Sequence, residues 1–108
     1  AWERVNERYG RYHSVHTINN TCCIVLGLLY GQGDLERSIC IAVMGGWDTD
    51  CTGATAGSIV GAMRGARALP DKWIGPLNDR LTSLVPGFCD CRISNLARRT
   101  LAQTREAT

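Results

Sequence analysis

The sequence lacks a large excess of charge of either sign. Its 108 residues carry 12 basic and 10 acidic side chains, which leaves a formal net charge of +2. The arginines are spread along the chain without a basic run, and their only adjacent pair is Arg98 and Arg99. Because nucleic-acid surfaces concentrate Lys and Arg on one face, this distribution argues against a nucleic-acid partner.

An apolar run long enough to cross a bilayer is also missing. The longest apolar stretch, from Cys22 to Tyr30, falls well short of the roughly 20 residues that a spanning helix needs. The start of the chain shows no signal-peptide pattern. We therefore expect no membrane association and a cytoplasmic location.

No two cysteines have the C-x₂-C spacing that is usual in zinc sites. Six cysteines are present, and three of them lie within apolar runs of helical character. These three are Cys22, Cys23 and Cys40. Free buried cysteine behaves as a small hydrophobe, so we expect reduced thiols rather than a disulfide framework. The alternative is a zinc site formed by Cys89 and Cys91 with His13 or His16.

Apolar periodicity predicts an all-α chain, organised as a single helical domain over residues 1–108. Asp34 is a good N-cap for one helix, and Gly45 ends it. No alternating strand pattern is evident. The expected helices cover residues 2–9, 18–30, 35–44, a segment after the acidic loop, 76–85 and 94–107.

The helix after the acidic loop carries glycine at every fourth position, namely Gly53, Gly57, Gly61 and Gly65. Each glycine costs a helix about 0.5 to 1 kcal/mol relative to alanine. Close approach of a neighbouring helix offsets such a cost. We therefore expect this stripe to pack and to hold the start of its helix rigidly under the acidic loop.

The acidic loop itself occupies residues 45–54, with the sequence GGWDTDCTGA. Asp48 and Asp50 lie two positions apart, where two ionised carboxylates repel each other unless a cation lies between them. Oxygen ligands of this kind suit Mg²⁺, Mn²⁺ or Ca²⁺. Gly45 and Gly46 allow the tight backbone that an ion-binding loop needs. The alternative is that both carboxylates only cap the helix that follows.

Four further residues in or near this loop are candidates for structural or functional roles. Trp47 either anchors the loop in the core or presents a flat ring that stacks on a sugar or adenine face. His16 and the asparagines at 19 and 20 are placed to cap or orient the apolar helix that follows them.

From Gly45 onward the chain reads GGWDTDCTGATAGSIVGAMRGARALPDKW, which closely resembles the last block of the ADP-ribosylglycohydrolase family. That block is roughly G-G-D-T-D-T-x-G-A-x-A-G-x-x-x-G-A-x-x-G, followed by Pro and Trp. HTINN at 16–20 and PLNDRL at 76–81 also look like a branch of the family with Trp inside the loop. The resemblance implies an orthogonal multi-helix bundle, of which this chain is the C-terminal half.

The same resemblance implies hydrolysis of the glycosidic bond that links ADP-ribose, or a related ribosyl group, to a protein side chain or a small molecule. Two Mg²⁺ ions, or Mn²⁺ in their place, are the implied cofactors. By position, Asp48 and Asp50 are the expected metal ligands and catalytic residues. Trp47, Thr49 and His16 are the expected substrate-binding residues.

The sequence departs from the family pattern in two places. Cys51 stands where the family has a Thr, and a thiol is a poor ligand for Mg²⁺, while Thr52 comes one position late. No Thr-Asp-Asp triplet, which supplies the other half of the family's ligands, occurs in the chain. We therefore expect the partner to be the N-terminal half of the same domain or a second chain. The alternative function is a non-catalytic helical module that keeps the fold for binding or structure.

Overall fold

The computed structural model describes residues 1–106, and over that range the chain is mainly helical. Its helices are α1 (Trp2–Tyr9), α2 (Thr17–Gly31), α3 (Leu35–Met44), α4 (Thr49–Arg64), α5 (Asp71–Ile74) and α6 (Ile93–Glu106), with 3₁₀ turns at Ala66–Ala68 and Gly75–Leu77. Strands β1 (Arg80–Thr82) and β2 (Asp90–Arg92) pair antiparallel. The all-α fold class is confirmed, since this sheet is small.

The chain forms two compact units, residues 1–69 and the part from residue 70 onward. In the first unit α2, α3 and α4 pack against one another, and α1 contacts α2. The buried core of this unit is made mostly of small side chains, because its helices approach one another closely. The buried apolar residues are Cys23, Leu35, Ala42, Ala56 and Val60.

The closest approach is between α2 and α3, where glycine on α2 faces the backbone of α3. A Cβ atom on Gly27 would lie 2.5 Å from the Ser38 carbonyl oxygen and 3.0 Å from the Ala42 Cβ. A Cβ on Gly31 would overlap the Ser38 hydroxyl and lie 2.7 Å from the Ser38 Cα. Glycine at these two positions is therefore what allows α2 and α3 to meet.

The glycine stripe of α4 packs only along its first half. A Cβ on Gly53 would lie 2.9 Å from a Val43 methyl group, and one on Gly57 would lie 3.2 Å from Ile39. Among residues 1–106, a Cβ on Gly61 or Gly65 would meet nothing within 4 Å. The prediction that the whole stripe packs is wrong for these two, and Gly65 instead ends α4 with a φ of 75°.

Local signals set the limits of the helices in the first unit. The Asp34 side chain accepts a 2.8 Å bond from the Arg37 backbone N–H, as expected of the N-cap of α3. After α2 the chain turns at Gln32 and Gly33, both with positive φ. α3 ends at Gly45, so the acidic loop lies between α3 and α4 as the sequence predicts.

The second unit contains the largest error of the sequence analysis. The helix expected at 76–85 is absent, because Asn78 and Asp79 adopt left-handed φ values of 49° and 54° and the chain then enters β1. The Asp79 carboxylate accepts bonds of 2.8 and 2.6 Å from the Ser94 N–H and hydroxyl at the start of α6. These hydrogen bonds lower the pKa of Asp79. The expectation of no strand is also wrong.

The helix expected at 94–107 corresponds to α6, and Ala107 lies outside the described residues. All six cysteines are free. Cys23 is buried and Cys22 is half-buried, but Cys40 is exposed, which corrects its placement in a buried run. No helix within residues 1–106 is long and apolar enough to cross a bilayer.

Candidate functional site

The acidic loop turns the chain from α3 into α4 through two consecutive left-handed residues. Gly46 has a φ of 77° and Trp47 a φ of 57°. Glycine adopts this conformation freely, whereas a bulky side chain such as Trp adopts it at a cost of about 1 to 2 kcal/mol. The turn places Asp48 at the N-cap of α4 and Asp50 in its first turn.

Asp48, Asp50 and Cys51 come together at the start of α4. One ligand atom from each lies within 4.8 Å of the others. Asp48 is half-buried, while Asp50 and Cys51 are exposed. The two carboxylates are hard oxygen donors that fit Mg²⁺ or Mn²⁺, and Cys51 adds a soft sulfur that does not fit Mg²⁺.

The side chain of Asp48 does not act as a helix cap. The carboxylate makes no hydrogen bond to the backbone N–H groups of the first turn. The backbone carbonyl oxygen of Asp48 accepts a 3.0 Å bond from the Thr52 N–H. Its carboxylate instead accepts a hydrogen bond from the Cys51 thiol. This bond, together with the charge of Asp48, raises the pKa of Cys51. The thiol is therefore protonated at neutral pH when no cation is bound.

The two threonines beside the carboxylates differ in exposure. Thr49 is exposed at the first position of α4. Thr52 is fully buried, and its hydroxyl donates a 3.2 Å bond to the Thr49 carbonyl oxygen. Thr52 thus lies on the buried side of the helix, whereas Thr49 lies on the exposed side.

The Trp47 ring contacts the Trp2 ring of α1, with ring centroids 4.9 Å apart and planes inclined by 57°. Trp47 is half-buried, and Trp2 is 37% exposed. The contact ties α1 to the acidic loop. Through this contact Trp47 anchors the loop, while part of its ring stays open to solvent.

The strained backbone at Trp47 leads to a testable expectation. We expect Trp47→Gly to be more stable than Trp47→Ala by about 1 kcal/mol, because both lose the ring but only glycine accepts a φ of 57° freely. Urea unfolding of the two variants measures the difference. At an unstrained surface position the order is the reverse or the two are equal, so either of those results would contradict the described loop backbone.

His16 lies at the N-cap of α2. Its Nδ1 accepts a 3.2 Å hydrogen bond from the Ile18 N–H, and its ring stacks on that of Tyr12 with centroids 4.5 Å apart. The side chain is exposed. Its observed contacts are therefore those of a helix cap, and its expected contact with substrate stays a prediction.

Asn20 connects the start of α2 to the acidic loop. Its side-chain amide donates to the carbonyl oxygens of Ser14 and His16 at 2.7 and 2.8 Å, and its Oδ1 accepts a 3.0 Å bond from the Asp48 N–H. The sequence predicts a capping role for this residue but does not indicate its link to the loop. No local pattern reveals a bond between residues 28 positions apart.

A family model for ADP-ribosylglycohydrolase matches residues 1–108, the whole chain. No curated protein and no solved structure matches the chain.

Proposed function

Because the chain belongs to the ADP-ribosylglycohydrolase family, whose type of activity is hydrolysis, we propose that it contributes Asp48 and Asp50 to a two-ion magnesium site. The site hydrolyses the glycosidic bond between ADP-ribose, or a related ribosyl group, and a protein side chain or small molecule. The observation that carries this proposal is the convergence of the Asp48 and Asp50 side chains within 4.8 Å at the start of α4.

Each residue of the loop has a proposed role. Asp48 and Asp50 hold the cation through their carboxylates, with Mn²⁺ as an acceptable substitute for Mg²⁺. When bound, the ions orient the ribose hydroxyls and activate or aim a water at the anomeric carbon. Trp47 offers the open part of its ring to a sugar or adenine face, and Thr49 and His16 offer polar groups to the substrate.

The ligand set within residues 1–106 is too small for two magnesium ions. Asp48, Asp50 and Cys51 form the one group of three metal-ligating side chains in this described range. Each Mg²⁺ ion is usually bound through one or two carboxylates in addition to water, so Asp48 and Asp50 alone give a pair of ions few protein ligands. We propose that the rest come from the N-terminal half of the same domain or from a second chain.

We also propose a cytoplasmic location, which would keep the six free cysteines reduced.

The proposal predicts that residues 1–108 alone bind Mg²⁺ weakly and release little or no ADP-ribose. Addition of a segment that carries a Thr-Asp-Asp block should produce tight binding and hydrolysis. Calorimetric titration with Mg²⁺ and Mn²⁺, and release of ADP-ribose from a modified arginine substrate, measure the two effects. If the combined segments bind neither ion and hydrolyse nothing, the chain is instead a non-catalytic helical module.

The Cys51 position predicts how the site discriminates between ions. Cys51→Thr replaces a thiol that donates to Asp48 with a hydroxyl that can do the same, so stability should change by less than about 1 kcal/mol. Affinity for Mg²⁺ should rise about two- to tenfold, because one added oxygen contact should contribute about as much as one hydrogen bond. Titrations of both forms with Mg²⁺, Mn²⁺ and Zn²⁺ measure the change. Lower activity of the Thr form with every ion would show that the thiol itself is needed.

A further inference from the structure

The side chain of Asn20 links α2 to the acidic loop. Asn20 is 7% exposed, and both polar atoms of its side chain are hydrogen-bonded. The two hydrogens of its Nδ2 point to the Ser14 and His16 carbonyl oxygens, and its Oδ1 receives the Asp48 N–H. Its partners also fix the orientation of the amide, because the reverse orientation would place a donor against a donor and an acceptor against two acceptors.

The Asp48 N–H lies outside the hydrogen-bond pattern of α4. Asp48 is the N-cap residue, and backbone N–H groups at the start of a helix have no partner within the helix. Asn20 supplies that partner from another helix. A buried hydrogen bond of this kind resists local opening, because breaking it leaves polar groups unpaired.

This bond restricts where the Asp48 side chain leaves the backbone. The amide nitrogen and the Cβ of Asp48 are both bonded to its Cα atom. A fixed N–H together with a φ of −91° therefore also fixes the direction of the Cα–Cβ bond. The residue immediately before, Trp47, is in a left-handed conformation that would relax if the loop were released. Asn20 thus holds Asp48 directly after this left-handed residue.

We propose that Asn20 is a positioning residue for the cation site: it holds the Asp48 carboxylate toward Asp50 through the Asp48 backbone N–H. The inference rests on the proposed function, since it assumes that the carboxylate pair binds a divalent ion. Asn20 itself does not contact the ion. Its contribution is to keep the pair assembled before the ion arrives, which lowers the cost of ordering the loop on binding.

The variant that tests the proposal is Asn20→Ser. A serine hydroxyl on a helix can still donate to the carbonyl oxygen four residues earlier, which is that of His16, but it is too short to reach the Asp48 N–H. The matched control is Asn19→Ser. Asn19 is buried like Asn20, and its amide donates to the His13 carbonyl oxygen at 3.3 Å. Within residues 1–106 its Oδ1 has no hydrogen-bond partner.

Two measurements by NMR give the readout. The first is hydrogen exchange at the Asp48 amide, and the second is broadening of the amide signals of residues 48–51 during titration with Mn²⁺ alone. In Asn20→Ser we expect exchange at Asp48 to be about tenfold faster and Mn²⁺ affinity about fivefold weaker, as for loss of one buried hydrogen bond. In Asn19→Ser both should stay within about twofold of the unmodified chain.

The possible failures are distinguishable. Unchanged Mn²⁺ affinity in Asn20→Ser, or an equal loss in Asn19→Ser, would overturn the positioning role and leave the ion site intact. If Mn²⁺ does not broaden residues 48–51 of the unmodified chain, the proposed ion site fails and the positioning role fails with it. An unprotected Asp48 amide in the unmodified chain would overturn the inference even if Asn20→Ser does not fold.

Discussion

Asp50→Asn is expected to lower turnover by at least about a hundredfold when the chain is combined with a segment that carries a Thr-Asp-Asp block. Loss of a residue that only supports a metal ligand already costs about 10- to 100-fold, and Asp50 is proposed as a ligand itself. The metal-free chain should change in stability by less than about 1 kcal/mol. The first-turn position gives Asp50 a small favourable interaction with the helix dipole, and removal of the repulsion from Asp48 offsets its loss.

Turnover with Mg²⁺ and urea unfolding in the presence of a chelator measure the two effects separately. Glu36→Gln is a suitable control, because Glu36 is an acidic residue in the first turn of α3 that is not in the proposed site. It should leave turnover unchanged. A loss of several kcal/mol in metal-free Asp50→Asn would favour a structural role for the carboxylate pair, and full activity of the variant would exclude a metal role.

The second large effect is expected at the contact between α2 and α3. Gly27→Ala should destabilise the chain by about 2 to 3 kcal/mol, near the upper end of the cost of overpacking. The added methyl group meets the Ser38 carbonyl oxygen at 2.5 Å, and a backbone atom cannot move aside as a flexible side chain can. The better helix propensity of alanine recovers only about 0.5 to 1 kcal/mol of this.

Gly61→Ala provides the matched control, since Gly61 is also a helical glycine but a Cβ there meets no described residue within 4 Å. It should stabilise the chain by about 0.5 to 1 kcal/mol. Urea unfolding followed by far-UV circular dichroism measures both variants. Equal stability of Gly27→Ala and the unmodified chain would mean that α2 and α3 lie farther apart than described.

Most helices of the first unit could be predicted because their signals are local. The apolar run after Thr17, the cap at Asp34 and the glycines at 45 and 46 each act within one or two turns of the backbone. The error at 76–85 has the opposite origin. Asp79 adopts a left-handed conformation and caps α6 by binding Ser94, a partner 15 positions away that periodicity does not reveal.

The glycine stripes show the same limit. Four-residue spacing marked α4 as a packing surface, but only Gly53 and Gly57 contact α3, and the tightest contact is at Gly27 and Gly31 on α2. Which glycine is close to a neighbour depends on where helices cross. The crossing point depends on all the side chains along both helices and has no counterpart in the spacing of one of them.

By itself the sequence determined the helical class, the position of the acidic loop between two helices and the family, because each of these rests on residues close together in the chain or on the order of a whole motif. Only the tertiary structure decided that the Asp48 side chain leaves its own helix uncapped, that Trp47 lies against Trp2 and that Asn20 holds the Asp48 N–H. Such contacts join residues separated by tens of positions, and packing of α1, α2 and α4 brings them within hydrogen-bond or ring-contact distance.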